Sequence, residues 1–304
     1  MQQDRLTWRP IAVLLLLSLV WGANIVIIKL TAQEMSPLFT AGLRSVVAAV
    51  CLGIWIRRKK MPLLFRSGTL GHGAMMGLLF ACNFGCAYLG LTYTLVSRSS
   101  ILIYTAPFFV ALGAHFFLPD DRLNPGKLLG LALAFAGIVL LFGRDLGDFS
   151  LQTLLGDALS LASGAFWGTS TLYLKKHLAH RAHPLQNLYH QLAFSAPVLL
   201  LLSLALERPL FISYSWLTAF YLFYQCIIVA FMSYLVWVHL IHHYPASLLH
   251  GFSFFTPVFS VLLGGVLILG EEITPALILA LILVSLGTVL VNRAPRAGAP
   301  ARNN

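Results

Sequence analysis

Aromatic and small polar side chains recur deep inside the long apolar runs of this sequence. Trp21, Trp167 and Trp237 each stand well inside such a run rather than near its end. Tryptophan prefers the interface between membrane and water, so three indoles at depth predict an aromatic-walled pocket whose few polar groups orient a ligand. The alternative is that individual indoles face lipid or fill contacts between helices.

Helical spacing adds neighbours to these indoles, because residues three or four apart share one face of a helix. Trp21 shares a face with Asn24, and Trp167 shares a face with Ser170. The predicted binding residues are Trp21, Asn24, Asn83, Tyr88, Tyr104, Trp167, Ser170, Ser233, Trp237, His250 and Phe254.

Arg44 is the one Lys or Arg well inside an apolar run. A charge at membrane depth is costly and is treated as functional by default. Two roles stay open: Arg44 meets a ligand carboxylate, or it braces backbone carbonyls and Gln191. We favour the bracing role, since Arg44 lies on the second span rather than beside the two mid-span prolines, Pro107 and Pro257.

Motifs for catalysis and for metal binding are absent from the sequence. His239, His242 and His243 have a spacing that suits a metal, but no Cys or carboxylate stands close in sequence, so we predict a polar helix end. No G-x-x-x-x-G-K-[ST], H-E-x-x-H or G-x-S-x-G string occurs. We therefore expect no enzyme, no metal, no cofactor and no nucleotide partner.

Membrane spans are the elements that must position these residues. Of 304 residues, 59% are hydrophobic and 10% are charged, against about 25% charged in soluble domains. Runs long enough to cross about 30 Å of hydrocarbon predict an all-α membrane protein in the lipid bilayer. The ten predicted spans are 11–30, 37–56, 69–92, 98–118, 126–142, 154–176, 185–206, 214–240, 246–268 and 275–292.

The basic residues predict how the chain is oriented. With the N-terminus inside, fifteen Lys and Arg fall in inside segments and four fall in outside segments, as the positive-inside rule requires. Both termini are then cytoplasmic. The net charge of +10 is explained by orientation, so we expect no nucleic-acid partner.

Two halves of the chain repeat each other. Trp21-Gly22 and Lys29 match Trp167-Gly168 and Lys175 at an offset of 146, and Pro107 matches Pro257 at 150. Five spans per half is an odd number, so the second half enters the membrane from the opposite side. We predict inverted five-helix repeats at 1–146 and 147–292, followed by a disordered basic tail at 293–304.

Prolines near mid-span predict broken helices. Pro107 and Pro257 each remove a helix hydrogen bond, which would free the carbonyls of Ile103 and Ser253. Irregular backbone at this depth is tolerated where it is buried or lines a wet cavity, although simple packing kinks are the alternative. Hinges are expected at Gly22, Gly168 and the two prolines.

These motifs, in their order and spacing, resemble the drug/metabolite transporter superfamily in its ten-span EamA branch. Ser170 departs from the pattern, because the first half has Asn24 at the matching position. The motifs that carry the resemblance are Trp21-Gly22-Ala23-Asn24, Lys29, Arg44, Thr105-Ala106-Pro107, Asp120-Asp121, Trp167-Gly168, Thr256-Pro257 and Gly270-Glu271-Glu272.

The resemblance implies a secondary transporter in a bacterial inner membrane that exports amino acids or similar metabolites. It also implies a central cavity formed by the first, third, fourth, sixth, eighth and ninth spans. From the two inverted halves we expect alternating access, in which this cavity opens to one side of the membrane and then to the other. The aromatic richness is similar to that of aromatic amino-acid exporters. A small-molecule substrate is thus the expected partner, and a monomer is the working expectation.

Several alternatives stay open at this point. A multidrug or other metabolite exporter, a channel and a membrane-embedded enzyme are the competing functions. Because no Asp or Glu stands at mid-span, only histidines are left as proton relays, and uncoupled transport stays possible. The histidines in question are His115, His190, His239 and His250.

Overall fold

The computed structural model describes residues 6–63, 70–94, 96–119, 121–142, 150–179, 181–263 and 275–293. Within these ranges the regular structure is helical, apart from one isolated antiparallel bridge between Met35 and Phe211. Predictions made for Asp120, for the repeat boundary at 146–147, for Gly270-Glu271-Glu272 and for the tail beyond residue 293 fall outside the described residues.

Thirteen α-helices and two π-helical segments, at Leu174–Leu178 and Tyr224–Ser233, run through the described residues. The first half of the chain holds α1 (Trp8–Thr31), α2 (Pro37–Arg58), α3 (Leu70–Tyr93), α4 (Val96–Ile103), α5 (Ala106–Phe117) and α6 (Pro125–Phe142). The second half holds α7 (Leu151–Tyr173), α8 (Pro184–Leu206), α9 (Trp216–Phe223), α10 (Tyr234–His243), α11 (Ala246–Phe252), α12 (Phe255–Val261) and α13 (Pro275–Arg293).

Several of these helices unite into single membrane spans. The stretches Arg98–Phe117 and Trp216–His243 are two of six that are long and apolar enough to cross a membrane, and shorter apolar helices cover Pro125–Leu140 and Ile278–Asn292. The fourth span is α4 with α5, and the ninth is α11 with α12. The eighth joins α9 to α10 through π-helical turns at Tyr224–Ser233. The all-helical, multi-pass membrane fold is thereby confirmed.

Local sequence explains where many helices begin. Proline opens α2, α6, α8 and α13, at a position whose N–H has no helical partner in any case. Side chains cap other starts: the hydroxyl of Ser150 accepts from Thr153 N–H at 3.2 Å, and the amide oxygen of Asn124 accepts from Lys127 N–H at 2.8 Å. These bonds satisfy donors that a helix start leaves unpaired.

Helices of the two halves pack as matching pairs. The second span packs against the seventh (α2 on α8), and the fifth against the tenth (α6 on α13). Likewise α1 packs on α12, and α7 packs on α5. Each contact has its counterpart under the predicted repeat, which favours the two-repeat organisation. The boundaries of the repeats stay a prediction.

Two loops join at one end of the bundle. The Glu34 carboxylate, just after α1, accepts from the Ser215 N–H at 2.9 Å and from the Thr218 hydroxyl at the start of α9. Chiefly through the Thr218 hydrogen bond, the pKa of Glu34 is held below its usual value. The Glu207 carboxylate accepts from the backbone N–H of Leu38 and Phe39 at 2.7 and 3.0 Å. A carboxylate at a helix N-terminus is favoured by the helix dipole.

Candidate functional site

A cavity of about 160 Å³ lies among α1, α3, α4, α7 and α10. These helices belong to the first, third, fourth, sixth and eighth spans, so the wall draws on both halves of the chain. Eight of the predicted binding residues line it: Trp21, Asn24, Asn83, Tyr88, Tyr104, Trp167, Ser170 and Trp237.

The three indoles meet in one cluster. The ring centroid of Trp21 lies 6.1 Å from that of Trp167 and 5.1 Å from that of Trp237, and Trp167 lies 6.3 Å from Trp237. Tyr104 adds an edge contact to Trp167 at 6.0 Å. Such edge-to-face pairs are favourable beyond the area they bury. The paired tryptophans of the repeat therefore face each other inside the protein rather than the lipid.

Hydrogen bonds fix the indole of Trp21. Its Nε1–H donates to the Ser233 hydroxyl at 2.9 Å, and that hydroxyl donates to the Val229 carbonyl at 2.7 Å. Ser233 thus lies behind Trp21 and positions it instead of lining the cavity.

The polar residues of the cavity wall differ in how far they are already satisfied. Ser170 donates to the Trp167 carbonyl at 2.8 Å, and Asn83 accepts from Ser163 at 2.8 Å. Asn24 lines the cavity and is buried, yet its side-chain oxygen has no hydrogen-bond partner among the described residues. A buried acceptor without a donor is costly, so Asn24 offers a ready acceptor for a ligand.

Two predicted residues lie behind the wall. His250 is fully buried: its Nε2 is 2.9 Å from the Thr171 hydroxyl, and its ring packs on Trp167 and Trp237 at 4.9 and 5.2 Å. Phe254 is also buried and packs with Phe108 at 6.4 Å. The structure therefore brings His250 to the back of the indole cluster and does not bring Phe254 to the cavity.

The helix breaks precede the prolines by a few residues. The fourth span breaks at Tyr104 and Thr105, ahead of Pro107, and the ninth breaks at Ser253 and Phe254, ahead of Pro257. The expectation of a free carbonyl at Ser253 was wrong, because that oxygen accepts from Thr256 N–H at 3.0 Å. Pro257 cannot donate to the Ser253 carbonyl, so this carbonyl accepts from the residue three positions later instead, as in a turn of 3₁₀-helix.

The two repeated glycines occupy equivalent close contacts. A Cβ on Gly22 would lie 2.9 Å from the carbonyl oxygen of Thr256 and from the Cβ of Phe259, and a Cβ on Gly168 would lie 3.0 Å from the Cβ of Phe109. Both glycines stand within continuous helices, α1 and α7. In the structure these glycines allow α1 and α7 to pack closely against the broken spans. Their role as hinges stays a prediction.

Sequence reasoning missed several aromatic side chains of the wall. Phe80, Phe84 and Tyr234 line the cavity, and the ring of Tyr234 lies 6.0 Å from Trp21. Helical spacing could have identified two of them, because Phe84 is four residues before Tyr88 and Tyr234 is three before Trp237, so each shares a helix face with a predicted binding residue. Phenylalanine and tyrosine are too common in apolar runs to stand out alone.

The described residues bring no three His, Cys, Asp or Glu side chains together as a metal site would. His239 and His243 pack with ring centroids 4.3 Å apart, while His242 Nε2 is 2.7 Å from the side-chain nitrogen of Asn187. His242 thus connects α10 to α8, whereas His239 and His243 contact each other along α10.

Two polar anchors hold the α10–α11 junction, residues 241–247, at one end of the bundle. Lys175 donates to the carbonyls of Ile241 and Tyr244, the latter at 2.7 Å. From the loop before α6, Asp121 accepts from the Ser247 N–H at 2.9 Å and from the Ser247 hydroxyl. Both anchoring side chains are buried, whereas Lys29, the repeat counterpart of Lys175, is exposed.

The comparisons with known proteins agree with this architecture. The family model described as "EamA-like transporter family" matches residues 8–143 and again residues 154–293. The two matches together span most of the chain, so the chain belongs to the EamA-like transporter family. It is a multi-pass membrane protein of a transporter family.

Relatives of this chain are named as transporters and efflux pumps. A "Probable amino-acid metabolite efflux pump" of Salmonella typhimurium is 30% identical over 90% of this chain and 91% of its own length. The "Uncharacterized transporter YoaV" of Bacillus subtilis is 27% identical over 89% and 92%. A solved crystal structure, 17% identical, matches with a TM-score of 0.76 over 91% of this chain and 94% of the other, which supports the fold alone.

Proposed function

We propose that this protein exports small metabolites, with amino acids first among them, from the cytoplasm of a bacterium across its inner membrane. The relatives named as amino-acid metabolite efflux pumps support this choice of substrate. They also favour a transporter over a membrane-embedded enzyme. The observation that carries the proposal is the aromatic cavity between helices of the two halves.

The size and chemistry of the cavity favour a small metabolite over a drug. Its volume of about 160 Å³ is below the roughly 300–1,000 Å³ of sites for drug-sized ligands. The wall is mainly aromatic and aliphatic, with amide and hydroxyl groups at a few positions. Such a site suits a compact solute that has one apolar portion and a few hydrogen-bonding groups.

The anchors on the α10–α11 junction support alternating access. In inverted repeats the two members of a matched pair lie at opposite ends of the molecule. Lys175 is buried against backbone carbonyls, while its counterpart Lys29 is exposed. A transporter that alternates between an inward-open and an outward-open state would show this asymmetry in either state, because only one end is closed at a time. Here the closed end is the one that holds Lys175. On the orientation expected from the basic residues, that end faces the cytoplasm.

Transport is tested by counter-flow in proteoliposomes. Amino acids that raise the melting temperature of the purified protein are chosen first, because only ligands of the folded state do so. Vesicles loaded with such an amino acid should then take up its labelled form faster than empty vesicles, and uptake should saturate. Non-saturable uptake would indicate a channel. The absence of both binding and uptake for every amino acid would contradict the proposed substrate class.

Replacing Lys175 with methionine should open the end that Lys175 holds. The Lys175→Met variant keeps a long side chain but loses its donors to the Ile241 and Tyr244 carbonyls. We expect labelling of a cysteine at the buried position Ala246 to accelerate several-fold, in a background without the four native cysteines.

Lys29→Met is the matched control for Lys175→Met. Because Lys29 is exposed, its loss should leave the labelling rate at Ala246 at or below that of the parent protein. Equal acceleration by both variants, or none by Lys175→Met, would show that Lys175 does not hold this end of the bundle shut.

A further inference from the structure

Arg44, on α2, is a fully buried cation enclosed by aromatic rings. Its guanidinium carbon lies 4.2 Å from the ring centroid of Phe84, 5.7 Å from that of Tyr234 and 5.8 Å from that of Tyr88. Its Nη1 donates to the Tyr88 hydroxyl at 3.4 Å, and Tyr88 donates to the Gln225 side-chain oxygen at 3.3 Å. Arg44 thus sits in a network of neutral groups.

The charge of Arg44 is not balanced by an acid in the part of the chain that the structure describes. Two other buried cations do have an acidic partner there: Arg98 pairs with Asp157, and Lys127 pairs with Asp121. By contrast, Nε and Nη2 of Arg44 make no hydrogen bond of ordinary geometry among the described residues, and the neutral hydroxyl of Tyr234 is a further polar group that interacts with the guanidinium. A buried charge is costly without a counter-ion, and aromatic faces compensate for it only partly.

The cavity begins directly beside this cation. Phe84, Tyr88 and Tyr234 form the cage around Arg44 and also line the cavity. No Asp or Glu is among the described lining residues. Since Coulomb forces act strongly in a low-dielectric interior, the cavity should attract an anionic group to this wall. A purely cationic ligand has no acidic partner there.

A second unsatisfied group, unlike Arg44, lines the cavity itself. The side-chain oxygen of Asn24 lacks a donor among the described residues, and the indole of Trp21 stands three residues earlier on the same helix. An ammonium group can donate to an amide oxygen and is also attracted to indole faces. The cavity thus offers an unsatisfied acceptor on its wall, and the donors of Arg44 lie directly behind the part of the wall formed by Phe84, Tyr88 and Tyr234.

We propose that Arg44 selects ligands that carry a carboxylate, and that the cavity binds a zwitterionic amino acid with its carboxylate toward the Phe84–Tyr88–Tyr234 wall and its ammonium toward Asn24. The ring of Phe84 covers the guanidinium and turns aside to admit the carboxylate to Nε and Nη2. This inference rests on the proposed function and deepens it, because it favours amino acids over cationic drugs.

Three ligands that share the same side chain but differ in their charged groups test the proposal. From the amino acids that stabilise the protein, the best binder is compared with its decarboxylated amine and its deaminated acid. We expect Arg44→Gln to weaken the amino acid and the acid at least tenfold, measured by titration of the melting temperature. The amine should bind equally well or better, because a repelling charge is gone. Arg44→Lys should restore part of the affinity for the acid.

Two further variants separate selection from folding. Arg98→Gln removes a buried arginine that pairs with Asp157, and it should lower stability without changing the ratio of acid to amine affinity. Should Arg44→Gln fail to fold, Asn24→Ala provides the test: it should weaken the amine and spare the deaminated acid.

The outcomes distinguish this proposal from the proposed function. If an amino acid binds and is transported but Arg44→Gln weakens acid and amine equally, or Asn24→Ala weakens the acid as much as the amine, selection by these groups is overturned while export stands. If no amino acid binds at all, both are overturned.

Discussion

Alanine at Trp21 or at Trp167 should lower substrate flux in proteoliposomes at least tenfold. Trp21 makes edge contacts with Trp167, Trp237 and Tyr234, and both indoles line the cavity. An aromatic contact between an indole and the ligand would contribute about 0.5–1.5 kcal/mol, and a loss of about 1.4 kcal/mol lowers affinity, and with it flux at substrate concentrations below saturation, tenfold. Removing either indole also leaves a space next to the ligand, which no longer has an aromatic surface to contact.

Exposed tryptophans provide matched controls for these variants. Trp8 and Trp216 are 73% and 76% exposed, so alanine at either position should leave flux close to that of the parent protein. Because truncating a buried tryptophan costs roughly 3–5 kcal/mol, the melting temperature of each variant is measured alongside flux.

Ser233→Ala is a milder test of the same site. It removes only the acceptor for the Trp21 Nε1–H, so a smaller loss of flux is expected. Parent-level flux in both the Trp21→Ala and the Trp167→Ala variants would contradict a role for the indole cluster in binding.

Adding one methyl group at Gly22 should destabilise the protein strongly. The Cβ of Gly22→Ala would lie 2.9 Å from the Thr256 carbonyl oxygen and from the Ser260 backbone nitrogen. Backbone atoms move away less easily than the end of a flexible side chain, so α1 and α12 must separate. Overpacking of this kind costs about 1–3 kcal/mol, and a lower melting temperature in detergent would report it.

Gly71 provides the control, and Gly168 provides the symmetric test. Nothing lies within 4 Å of a Cβ placed on Gly71, so Gly71→Ala should melt at or above the temperature of the parent protein. Gly168→Ala should be destabilised less than Gly22→Ala, since its nearest contact is the Phe109 Cβ at 3.0 Å. If Gly22→Ala melts with the parent protein, the close packing of α1 on α12 is not required for stability.

Much of the fold could be predicted from the sequence, because the features that specify it are local along the chain. Hydropathy identifies a span without knowledge of its neighbours, and proline marks where a helix begins. Among the rare residues of the repeat, Trp21 with Trp167 indicated the indole cluster, and Pro107 with Pro257 indicated the broken spans. The sequence did not show that the breaks fall at Tyr104–Thr105 and at Ser253–Phe254, ahead of the prolines.

The candidate site was predicted less completely, since apolar spans give little sign of which face meets a cavity. Tyr234 lines the cavity and Phe254 does not, although both are aromatic residues close to predicted binding residues. In a soluble helix the polar face marks the side that meets water. In a membrane helix the lipid-facing side and the protein-facing side are both apolar, so this guide is lost.

The sequence by itself determined the number of spans, the repeated motifs and the residue types available for binding, because these follow from composition and spacing alone. Only the tertiary structure decided that the three indoles meet, that Ser233 lies behind Trp21, and that Arg44 is enclosed by the rings of Phe84, Tyr88 and Tyr234. Such contacts join residues from distant parts of the chain. They depend on how the helices pack and rotate against each other, which no local pattern specifies.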